Sequence, residues 1–200
     1  MAYNQNLSEK LETNLHFSPK LLNVIWYVGL IGSVLLILPY VFSVDNDFPV
    51  ETLSAFGEKL TVLAEIIFIS MMAYKIYKDG IVKPSYMLLV GYAGMQILDL
   101  LVNLISEEIG FITSMISLFI NVVVGIAFLM SPLTKKIGFW LLLSMAGAIL
   151  LLAILSEGFE NNNKWVGIGL SAIYCYPYIK YLEGCQKFLT GEVNEKISTT

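Results

Sequence analysis

Tyr92, Gln96, Asp99 and Asn103 recur at intervals of four, three and four residues, which places them on one face of a helix. The stretch around them is otherwise apolar. A carboxylate flanked by amides and a phenol could hold a proton or small cation, or orient a polar solute. In hydrocarbon such a face is costly unless it meets a cavity or a partner, which makes it a candidate site. A second internal acid lies upstream, where Glu58, Thr61, Glu65, Phe68, Met72 and Lys75 also form one helical stripe.

Depth links the two acids. Glu65 is seven residues from Glu58, and Asp99 is seven residues from Ser106. A rise of 1.5 Å per residue then puts each about 10 Å below one membrane boundary. A short turn around Asp79, Gly80 and Pro84 joins their helices, so the two should pack and the carboxyls are expected to meet. Lys59 lies near the water boundary, and no lysine sits at the level of the acids. Without a basic partner, desolvation and mutual repulsion favour a shared proton or a bound cation.

Neighbouring stretches offer supporting groups. Gly110, Ser114, Ser117, Asn121 and Gly125 form a small, weakly polar stripe, with Asn121 placed as a cavity floor. Gly167, Ser171, Tyr174, Tyr178 and Tyr181 form another, interrupted by Pro177, which frees the carbonyl of Ile173. Tyr174 at mid-depth should seek an acceptor, while Tyr178 and Tyr181 read as interfacial belt residues. The expected binding set is Glu65, Asp99, Gln96, Asn103, Asn121, Tyr92 and Tyr174.

The elements that must position these groups are membrane-spanning helices. The chain is 56% hydrophobic and 14% charged, with a mean hydropathy of +0.72. A soluble domain carries roughly 25% charged residues. Spans of the length a bilayer core requires are expected at 21–43, 58–78, 84–105, 109–130, 136–155 and 165–182. The fold expected is all-α: a polytopic membrane protein built as a single bundle of six transmembrane helices with short connections. Residues 1–20 form a cytoplasmic segment, where Leu7, Leu11 and Leu15 have the spacing of an interfacial helix ended by Pro19. Residues 183–200 form a polar tail. There is no cleavable signal peptide, so the first span would serve as a signal anchor. No three-plus-three internal repeat is evident.

Lysines orient the bundle. One side collects Lys10, Lys20, Lys75, Lys78, Lys83, Lys135, Lys136, Lys180, Lys187 and Lys196, the other only Lys59 and Lys164. That second side holds Asp45, Asp47, Glu51, Glu58, Glu107, Glu108, Glu157 and Glu160. Both termini are therefore expected in the cytoplasm and the acidic loops outside. Aromatic residues at the span ends, among them Tyr74, Tyr77, Phe139 and Trp165, suit headgroup belts. The absence of Arg fits an AT-rich genome, and the expected location is a bacterial cell membrane.

Several chemistries lack their residues. The net charge of −4 carries no basic block, so neither nucleic acid nor a polybasic lipid contact is expected. His16 stands alone in the polar N-terminal segment. Cys175 and Cys185 belong to no metal or disulfide pattern. HExxH, GxSxG, a P-loop and a dinucleotide fingerprint are all missing, so no metal or cofactor is expected. Three functions remain: a bundle that binds or transports a small solute, proton or monovalent cation through an outward cavity; an accessory or immunity-type protein docking a helix of a membrane partner; and a lipid-processing enzyme using the carboxyl pair. They are ranked in that order, and the lipid bilayer is a partner in all three.

Overall fold

The computed structural model describes residues 17–42, 50–78, 83–103, 107–131, 133–156 and 164–191. These form six α-helices with no strand among the described residues: α1 (Pro19–Phe42), α2 (Val50–Lys78), α3 (Lys83–Asn103), α4 (Glu107–Met130), α5 (Lys135–Ser156) and α6 (Lys164–Thr190). The all-helical expectation is met. By length and composition, Pro19–Leu36 and Ala55–Lys78 are long and apolar enough to cross a bilayer. Met87–Val102 and Met115–Met130 are shorter apolar stretches among the described residues.

Local signals explain several ends. Ser18 precedes Pro19, the favoured pairing of cap and first-turn proline, and the Leu22 amide bonds the Ser18 carbonyl at 3.2 Å. At the α4–α5 corner, the Thr134 hydroxyl donates to the Phe128 carbonyl at 3.0 Å. The Thr134 carbonyl accepts from the Gly138 amide at 2.9 Å, which starts α5. Gly191 ends α6 with φ of 86°, the left-handed conformation glycine adopts without a Cβ penalty.

Two helices outrun their expected limits. α2 starts at Val50 rather than near 58, and α6 continues to Thr190 rather than stopping near 182. The extension of α6 follows from burial. Tyr178, Tyr181, Leu182, Cys185, Phe188 and Leu189 form one continuous inward stripe, so the segment expected to begin a polar tail is core as far as Leu189.

Each helix packs on its chain neighbours, α1 closes the ring against α6, and α2 also touches α6 across the interior. Close crossings rely on glycine. A Cβ on Gly32 would lie 2.8 Å from the Gly57 carbonyl oxygen, and one on Gly57 would lie 2.8 Å from that of Gly32, so α1 and α2 meet backbone to backbone. Gly138 approaches the Gly125 carbonyl between α5 and α4 in the same way. The Ile173 carbonyl freed by Pro177 faces Gly147 of α5, whose Cβ would sit 2.9 Å from it.

The bundle is apolar outside. Val24, Ile31, Phe56, Met87, Leu101, Phe119, Ile126, Phe139 and Ile149 are exposed, while Thr61, Glu65, Gln96, Ser117, Asn121 and Ser144 are buried. A water-soluble domain seldom exposes apolar surface so continuously.

Candidate functional site

Glu65 lies on the inward face of α2, fifteen residues from the start of that helix, and is only 6% exposed. The Tyr92 hydroxyl, on α3, donates a short hydrogen bond to Glu65 Oε1. Gln96 lies one turn along α3 from Tyr92, on the same inward face, and is likewise buried. Its Nε2 also lies 3.5 Å from Asn121 Oδ1 on α4, at the long limit of a hydrogen bond. Glu65, Tyr92, Gln96 and Asn121 thus form one buried polar file across three helices.

α6 completes the surroundings. The Tyr178 hydroxyl donates to the Thr61 carbonyl at 2.6 Å, gripping the turn of α2 that precedes Glu65. Thr61 itself donates to the Glu58 carbonyl at 2.7 Å. Tyr174 stacks on Tyr178 with ring centroids 5.9 Å apart. The Tyr181 hydroxyl approaches Glu65 but completes no hydrogen bond of good geometry among the described residues.

Tyr178 and Tyr181 therefore need a correction. Both are buried at the site rather than lying in a headgroup belt. A helix ending at 182 would put both at its end, but α6 continues to Thr190. With two more turns of helix below them, they lie well inside the bundle. Their shared spacing with Tyr174 was the signal that could have found them.

Asp99 is separate. Its Oδ1 accepts from the Thr113 hydroxyl of α4 at 2.6 Å. It lies near enough to Glu58 for the two charges to repel. Along α3 it is seven residues beyond Tyr92, the residue that meets Glu65, a rise of about 10 Å. The expected meeting of Glu65 and Asp99 at one depth does not occur. The depth estimate assumed that both helices end at one boundary, whereas α2 extends eight residues above Glu58 and α3 only four beyond Asp99. The side chain of Asn103 lies outside the described residues.

Below Glu65 the interior changes character. Phe68, Ile69 and Met72 of α2, Leu89 of α3 and Leu182 of α6 are at most 1% exposed. Beyond this layer lies Lys75, 2% exposed. A small cavity of about 90 Å³ near Leu89, Phe128, Thr134 and Phe188 and a groove of about 460 Å³ between α2 and α3 are present, and neither is lined by Glu65 or Asp99. Among the described residues, no cluster of three or more His, Cys, Asp or Glu could hold a metal ion.

Compared with protein-family models, curated proteins and solved structures, the chain matches none.

Proposed function

We propose that this is a six-span cell-membrane protein whose interior carries one proton-binding carboxyl, Glu65, and that its protonation changes the packing of α2, α3 and α6. The observation that carries the reading is the setting of Glu65: an ionisable group in an apolar bundle, bonded by Tyr92 and approached by Tyr181. Ionisable groups kept inside a membrane commonly serve proton or ion pathways. A proton suits this donor set better than a metal cation, because one carboxylate among phenols supplies few of the oxygens a dehydrated cation needs.

The six-span reading draws on the apolar exterior and the glycine crossings, which are the packing mode of membrane helices. Even the shortest helix, α3 with 21 residues, is about 31 Å long and matches a hydrocarbon core of about 30 Å. Lysine placement orients both termini to the cytoplasm.

The test is infrared difference spectroscopy on reconstituted protein during a pH titration. On acidification the wild type should gain, beyond the bands of the exposed acids, one protonated-carboxyl band that the same titration of Glu65→Gln lacks. Identical carboxyl bands in the wild type and Glu65→Gln at every pH overturn the reading.

One observation favours a second reading, an accessory protein that docks a partner helix. The α2–α3 groove is lined by Tyr74, Tyr77, Val90, Gly94 and Ile97. A Cβ on Gly91 or Gly94 would meet nothing within 4 Å, which leaves room for a close backbone. Solute transport and lipid processing both call for a cavity reaching the acids, and neither described cavity does so.

A further inference from the structure

The polar groups around Glu65 are distributed unevenly along the bundle axis. On one side of it the inward face of α3 continues as Gln96 and then half-buried Asp99, while α2 continues as Thr61 and then exposed Glu58. On the other side lies the layer of Phe68, Ile69, Met72, Leu89 and Leu182, with Cys185 beside them and fully buried. Lys75 is beyond it, ten residues from Glu65 and about 15 Å along α2. Protons move between polar groups or water, and a close-packed apolar layer offers neither.

We infer that Glu65 exchanges its proton with one side of the membrane only, the side carrying Glu58 and Asp99, so the site reports the pH of that compartment and does not conduct through the bundle. This rests on the proton-binding reading of Glu65. The route runs along the α3 face through Asp99, Gln96 and Tyr92. Tyr181 waits beside the carboxyl with a hydroxyl that lacks a partner among the described residues, so it can take up a new hydrogen bond when Glu65 changes charge. The titratable groups surrounding Glu65 are Tyr92 and Asp99 on α3, Tyr174, Tyr178, Tyr181 and Cys185 on α6, and Glu58 and Lys75 on its own helix. On α1, Gly29 packs against Ala64, the residue before Glu65, and has nothing to titrate.

The test uses full-length protein in sealed vesicles of known orientation, with the pH jumped on one side at a time and the Glu65 carboxyl band followed. A jump on the Glu58 side should produce the band change, and a jump on the Lys75 side should produce none until a protonophore is added. Gln96→Leu, which removes a polar group from this route, should slow the response to a jump on the Glu58 side by at least about tenfold, equivalent to a barrier about 1.4 kcal/mol higher, and an unslowed response overturns the route. Equal responses from both sides, or a response from the Lys75 side alone, overturn one-sided access. A band silent to both sides even with protonophore instead overturns proton binding at Glu65, so the two failures are distinct.

Discussion

The Tyr92 hydroxyl donates to the Glu65 carboxylate across the α2–α3 interface, joining residues 27 positions apart in the chain. Of the polar contacts among the described side chains, this one ties the buried acid to a neighbouring helix. It makes Tyr92 the first residue to alter. Tyr92→Phe keeps the ring and strands the acceptor. The expected loss lies between the roughly 0.6 kcal/mol average for hydrogen bonds inside membranes and the roughly 1–3 kcal/mol for leaving a buried partner unsatisfied. Thermal unfolding in detergent measures it. An unchanged melting temperature would mean that Glu65 finds another donor.

The two α6 tyrosines should behave oppositely. Tyr178→Phe deletes a 2.6 Å bond to the Thr61 carbonyl and should destabilise by about 1 kcal/mol. Tyr181→Phe removes a buried hydroxyl with no partner among the described residues, so stability should stay level or rise. Paired melting curves decide it, and a larger loss for Tyr181→Phe would reverse the assignment.

Glycines separate close crossings from open surface. Gly147→Val would push side-chain carbon into the Ile173 carbonyl and the Tyr174 backbone. It should cost about 1–3 kcal/mol by forcing α5 and α6 apart. Gly91→Ala and Gly94→Ala meet nothing and should leave the monomer as stable as before, or slightly more so. If Gly94→Ala does weaken the protein in its native membrane but not when purified, the α2–α3 groove is occupied there.

Orientation has a direct check. Cys175 and Cys185 are buried, so labelling background should be low. A cysteine introduced in the segment 44–57, ahead of the span expected at 58–78, should react with an impermeant thiol reagent added outside intact cells. Ser131→Cys, at the α4–α5 corner, should react only after the cells are opened. The reverse pattern would invert the bundle.

Much of the candidate site was legible because helical spacing is a local property. The face holding Tyr92 and Gln96, and the stripe holding Glu65, follow from positions in the chain alone, and Tyr92, Gln96, Glu65 and Asn121 do come together. Sequence spacing alone puts Tyr178 and Tyr181 at a helix end, because the apolar positions Cys185, Phe188 and Leu189 lie among polar residues; only the packing of α6 shows that they are core.

By itself the sequence determined six apolar helical stretches, their order and the faces on which polar groups lie, since period and composition act within each segment. Which acid meets which partner was decided by the tertiary structure. Contact depends on how far each helix extends past its neighbour and where glycine lets two backbones close. A sliding of two turns between α2 and α3 leaves every helical face unchanged, yet it seats Glu65 against Tyr92 and sends Asp99 to Thr113.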